Sequence, residues 1–275
     1  MSNIVLSTRN SVERDSQIKF YARGHKYEIL SDKGSKYTSV TTWNHSHFPK
    51  FDADKIIENI FKSKSWGPDH KYWGQTADQI KASWKSNGEQ VAGAGTNLHE
   101  RIEKFMNNKT LKHDYNLKDL YEDYKNIDNE VEEWNYFIQF VKDFENLKPY
   151  RTEWMIFDEE LKLAGSIDMV FQNEDGTLSI YDWKRCKEIS KINNWNQYAT
   201  NPIICHMPDT NFWHYALQLN TYKTILERKY DKKIKDLFLV RLHPLAEEKT
   251  YELIEVPILE KELTDLFEER KKEVS

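Results

Sequence analysis

Two aspartates and a lysine near the middle of the chain have the types and spacing to do chemistry. Asp168 interrupts the apolar stretch Gly165-Ser166-Ile167-Asp168-Met169-Val170-Phe171, and Asp182 and Lys184 stand two apart in Ser179-Ile180-Tyr181-Asp182-Trp183-Lys184. On a strand, residues two apart share a face, and Asn173-Glu174-Asp175-Gly176 between the two stretches is a hairpin signal. The hairpin would gather two carboxylates and an ammonium. That is a site for a hard divalent cation such as Mg²⁺, with the carbonyl of Trp183 as a further oxygen. Such a cation polarises a phosphoryl oxygen and acidifies a bound water, while Lys184 orients that water or steadies developing charge. Asp-x-Lys alone is an ordinary strand-end ion pair. Asp168 changes the reading, because a carboxylate in a buried strand needs a cation or a donor.

Two helical pairs stand on either side. Thr96 is a cap residue ahead of His99 and Glu103, which at i and i+4 share a helix face and could complete a metal shell. Gln218 and Tyr222 repeat that spacing downstream. Each pair alone is what any amphipathic helix carries, on its surface or in its core.

These residues need elements to position them. Residues 18–21 and 26–30 are strand-like, a turn at 31–35 follows, and 37–41 are strand-like again. From 52 to about 147 the pattern is helical, with helices expected near 77–86, 96–107 and 129–147, and Pro149 ends the section. Strands are then expected over 151–158, 161–171 and 178–184, followed by a loop of about 25 residues, long enough to suggest function. A helix over 212–230, strands at 234–242 and 250–256 and a helix over 259–272 complete the chain. The order predicts an α/β fold, a mixed sheet flanked by helices. Residues 1–50 form an N-terminal hairpin region, 51–148 a helical region carrying the His99/Glu103 helix over the site, and 149–275 the catalytic core, all in one structural unit.

Composition narrows the class. The 275 residues carry a formal net charge of −5, so binding to a polyanion must come from a local patch. Two cysteines, Cys186 and Cys205, cannot build a disulfide framework or a four-thiolate cluster. No apolar run approaches the ~20 residues that cross a bilayer, and residues 1–7 are too polar for a signal peptide. A soluble intracellular protein without membrane contact is expected.

Read in order, His99 with Glu103, Glu153, Gly165-Ser166-Ile167-Asp168, Asp182-Trp183-Lys184 and Gln218-x-x-x-Tyr222 resemble the RecB-like exonuclease branch of the PD-(D/E)XK nuclease superfamily. The likeness covers residues 95–242. Tyr37-Thr38-Ser39-Val40-Thr41-Thr42, Phe48-Pro49-Lys50-Phe51-Asp52 and His243-Pro244 look like stand-alone members from large DNA viruses and phages. The resemblance implies a restriction-endonuclease-like core, with His99, Asp168, Asp182 and the Trp183 carbonyl as metal ligands and Lys184 serving the attacking water. Gln218 and Tyr222 would organise the site and the DNA backbone; Glu153 is the loosest match. It further implies an Mg²⁺-dependent deoxyribonuclease, an exonuclease of replication, repair or recombination, in which Mn²⁺ substitutes. The setting would be a prokaryotic cytoplasm or a virus's host cell.

The chain has no Gly-x-x-x-x-Gly-Lys-Ser/Thr loop, so no nucleotide cofactor or fused motor is expected, and too few cysteines for an iron–sulfur cluster. A helicase or single-strand-binding protein would then act as a separate partner. Arg185, Lys187 and Lys191 could hold phosphates, and Trp195 and Trp213 could stack on unpaired bases of a single strand or a free end. A non-catalytic nucleic-acid-binding module of the same fold and an RNA- or structure-specific endonuclease are the alternatives.

Overall fold

The computed structural model describes residues 4–109, 114–124 and 131–275. Among these, the helices are α1 (Val5–Arg9), α2 (Val40–His45), α3 (Ala53–Lys62), α4 (Ala77–Met106), α5 (Leu117–Tyr124), α6 (Glu132–Asp143), α7 (Asn211–Lys229) and α8 (Glu260–Val274). The strands are β1 (Ile18–Tyr21), β2 (Lys26–Ile29), β3 (Thr38–Ser39), β4 (Lys148–Asp158), β5 (Leu163–Gln172), β6 (Leu178–Lys184), β7 (Ile234–Arg241) and β8 (Glu252–Glu255). β1 and β2 form a hairpin, and the others a six-stranded mixed sheet in which β6–β7 and β3–β5 run parallel. The fold is mixed α/β, as the element order predicted.

Strand alternation buries apolar side chains on both faces. Leu178, Ile180, Leu237 and Leu239 pack with α2, α7 and α8, whereas Tyr181, Trp183, Val240 and Leu242 pack with α1, α6 and the C-terminal half of α4. The β5–β6 turn closes by Asn173 N–H to the Thr177 carbonyl at 2.8 Å, with Gly176 at φ 81°, where a side chain would be strained.

Four expectations change. The helices predicted over 77–86 and 96–107 are one 30-residue helix, α4, running through Gly88, Gly93 and Gly95. A capping box of Thr76 and Gln79 pins its start, and buried Leu98, Ile102, Phe105 and Met106 pin its end; the exposed stretch between remains helical despite ~1 kcal/mol per glycine. The strand predicted over 37–41 pairs only at Thr38–Ser39, because the Ser39 hydroxyl accepts the Thr42 N–H at 3.1 Å and starts α2. Pro149 does not end a helix but sits inside β4 at a register shift beside Tyr150. The helix predicted over 129–147 is α6, Glu132–Asp143; residues 129 and 130 lie outside the described residues.

Candidate metal centre

The hairpin places the acids in a row. The β4–β5 register pairs Thr152 with Met169 and Trp154 with Ile167, which sets Glu153 opposite Asp168. Extended by one step, the β5–β6 register sets Asp182 opposite Asp168 on the other side. β4 occupies one whole edge of β5. The other edge is shared between β3, at Leu163 and Ala164, and β6, from Met169 onward. Residues 165–168 therefore face no strand on that edge, and Asp168 sits where β6 departs. Its Oδ2 accepts the Trp183 N–H at 3.1 Å, replacing the lost ladder bond.

The side-chain alternation inverts at this row. Ile167 and Trp154 pack on the α7 side, whereas Met169 packs with α6, and Thr152 accepts a hydrogen bond from Asn107 on that side. Glu153 absorbs the irregularity at φ 42°, a region that disfavours its side chain, and its Oε2 accepts from Ser166 Oγ at 3.0 Å.

His99 completes the group from α4. Its Nε2 donates to the Trp183 carbonyl at 2.9 Å, and Nδ1 lies 3.5 Å from Asp168 Oδ2 and 3.9 Å from Glu153 Oε1. A ring nitrogen held by a main-chain carbonyl leaves the other free to ligate, the usual support for a metal-binding imidazole. His99, Glu153 and Asp168 each offer a ligand atom within 4.8 Å of the others, so this group could hold a metal ion. Asp182 and Glu103 lie outside that group; Glu103 lines a cavity of about 540 Å³ together with His99 and Glu153.

Lys184 and Asp182 form an ion pair at 2.6 Å, and the ammonium also lies 4.3 Å from the Tyr215 ring centre. From α7, Gln218 Nε2 donates to the Tyr222 hydroxyl at 3.2 Å, and the hydroxyl edge of the Tyr222 ring lies against Gly165, where a Cβ would come within 2.7 Å of it.

The electrostatics follow from burial and crowding. Burial alone would lower the His99 imidazole, but Asp168, Glu153 and Asp182 outweigh it and raise it to about 9. Burial raises Asp168, opposed by His99 and reinforced by Glu153. Burial also raises Asp182, to about 6, with Lys184 opposing and Asp168 reinforcing. Lys184 is pushed down by burial but more strongly up by Asp182 and Asp168. Asp182 Oδ2 is buried beside the Lys184 ammonium. Crowded carboxylates and one imidazole fit a hard divalent cation.

The expected nucleic-acid residues are more dispersed. Arg185 Nε donates to Glu133 Oε1 at 2.8 Å in a largely buried pair, so its expected phosphate contact competes with an internal partner. Lys187 is exposed, and the Lys191 ammonium lies 4.6 Å from the Phe212 ring centre. Trp195 is 84% exposed, whereas Trp213 Nε1 donates to the Lys191 carbonyl at 3.2 Å. Sequence reasoning did not find the place of Tyr215 against Lys184; its i, i+3 spacing to Gln218 on α7 was the available signal.

No family model and no curated protein matches this sequence. Solved structures similar to the chain include the following two. One is the crystal structure of a "Putative exonuclease" from Eubacterium rectale, with a TM-score of 0.40 and 12% identity over 86% of this chain and 77% of that one. The other is that of SSO0001, with a TM-score of 0.25 and 13% identity over 46% of this chain and 50% of that one. Among the described residues, no helix is long and apolar enough to cross a membrane.

Proposed function

We propose that the protein is a metal-dependent DNA nuclease of the RecB-like PD-(D/E)XK type, acting as an exonuclease. The observation that carries this reading is the row Glu153–Asp168–Asp182 at the parting of β5 and β6, with His99 on one side and Lys184 on the other. Asp168, Glu153, His99 and Asp182 would hold Mg²⁺ or Mn²⁺, which when bound neutralises charge on the phosphoryl oxygens and favours ionised water. The protein's own groups do the rest. Lys184, braced by Asp182 and Tyr215, directs its ammonium at the attacking water and at the charge that grows on phosphate. Gln218, anchored on Tyr222, retains amide capacity to hold the strand in line for attack.

The test is end-labelled linear DNA, single- and double-stranded, beside matched RNA and a closed single-stranded circle, with Mg²⁺, Mn²⁺ or chelator. Metal-dependent release of nucleotides from linear DNA is expected, with the circle and the RNA resistant. Cutting of the circle at the linear rate replaces the exonuclease by an endonuclease. No cleavage with either metal leaves a binding module.

A further inference from the structure

A second cluster of basic side chains lies beside Lys184 and is not used by the proposed chemistry. His214 precedes Gln218 by one turn of α7, and its Nε2 donates to Asp209 Oδ1 at 2.8 Å. Asp209 is itself fixed, since its N–H donates to the Gln197 carbonyl at 2.8 Å and its carbonyl accepts from Asn193 Nδ2 at 2.6 Å. The His214 ring packs on Phe48 with centroids 4.0 Å apart, and the exposed ring of His45, in the last turn of α2, lies 5.1 Å away. An orienting carboxylate, an aromatic floor and a paired imidazole make His214 a positioned group with Nδ1 uncommitted to Asp209.

We propose that His45 and His214 form a phosphate subsite that holds the nucleic-acid strand next to the residue being cleaved. The donor set favours an anion. Among the described residues, the His/Cys/Asp/Glu ligand atoms close enough to hold a metal are those of His99, Glu153 and Asp168, so these two imidazoles are not part of such a group. Lys184 from β6 and His214 from α7 act on His45 as like charges, and Asp209 opposes them. Desolvation of the ring's covered half first, and then those like charges, lower the His45 imidazole, so an arriving phosphate would restore its proton. The location suits a neighbouring phosphodiester: His214 stands about one turn, ~5.4 Å, along α7 from Gln218.

The inference rests on the nuclease reading, and binding without catalysis separates the two. Anisotropy of a labelled oligothymidylate in chelator, from about pH 8 to about pH 6, should show binding tighten by up to about tenfold per pH unit for one proton taken up. His45→Gln should weaken binding roughly tenfold at the acid end and flatten the profile; His45 is exposed, so its replacement leaves the fold in place. His214→Gln, checked by its melting temperature, should also weaken binding. Inorganic phosphate should compete weakly with the oligonucleotide in the wild type and not in the variants; competition equal in all three places the phosphate elsewhere and overturns the subsite. Variants that bind like the wild type at every pH also overturn it, even if the wild type cleaves DNA. Loss of binding in the variants of a protein that cleaves nothing retains the subsite and removes the nuclease.

Discussion

Gly165→Ala tests how the α7 helix seats the metal centre. A Cβ at this position would lie 2.7 Å from Tyr222 Cε1, 3.3 Å from Cζ and 3.1 Å from the hydroxyl oxygen. Resting carbon–carbon contacts are ~3.5–4.0 Å, so strand and ring must separate by roughly 0.8 Å or more. The ring is buried within the core formed by α7 and β5, and close-packed interiors yield little. Overpacking of this kind costs about 1–3 kcal/mol. At about 2–4 °C per kcal/mol for a chain this size, the melting temperature should fall roughly 2–12 °C. Activity should suffer more than stability. Tyr222 holds Gln218, and Gly165 lies three residues from Asp168 on the unpaired edge of β5, so a shift approaching ~1 Å at the reacting groups should lower cleavage about a hundredfold. Thermal melting and single-turnover cleavage measure the two effects. Adding Tyr222→Leu should recover part of the melting temperature and none of the rate. An alanine variant that melts within about 1 °C of the wild type and cleaves normally would refute the close-approach argument.

Asp168→Asn keeps an oxygen for the Trp183 N–H while removing the central charge; Mn²⁺ affinity and cleavage should both fall, with the fold intact by circular dichroism, and unchanged affinity in a titration would take Asp168 out of the metal group. Lys184→Ala should slow single-turnover cleavage by ~10²–10⁴-fold while strand affinity changes little; normal cleavage with poor binding would assign Lys184 to strand binding instead. His99 has a folded pKa of about 9 against ~6.5 unfolded, so its stabilisation of the metal-free protein is complete below ~6.5 and disappears as pH rises through about 9. Asp182, raised to about 6 by burial, acts in the same direction lower down, adding stability that is lost as pH climbs from ~4 through about 6. Melting in chelator should therefore fall across these windows. Mn²⁺ affinity, which requires a deprotonated imidazole, should rise towards pH 9. Affinity that stays flat from about pH 6.5 to about pH 9 would remove His99 from the ligands.

Local chemistry made part of this centre legible before any coordinates. The strand over 178–184 has the predicted bounds, because its run of residues buried on both faces and the Asn173–Gly176 turn act over neighbouring residues. The turn sets the register that places Asp168 against Asp182, and 3.6-residue periodicity sets His99 and Glu103 on one face. Glu153 was different: resemblance alone brought it forward, since nothing within its own strand says that it faces Asp168. The tertiary structure decided that, by pairing β4 with β5 and inverting the side-chain alternation at their shared row. It also decided that α4 runs unbroken, that Lys184 leans on Tyr215 and that Arg185 is held by Glu133. Those contacts join segments from about 30 to more than 50 residues apart. Turn propensity and periodicity reach only a few residues along the chain, so which distant side chains meet is settled by how the layers pack.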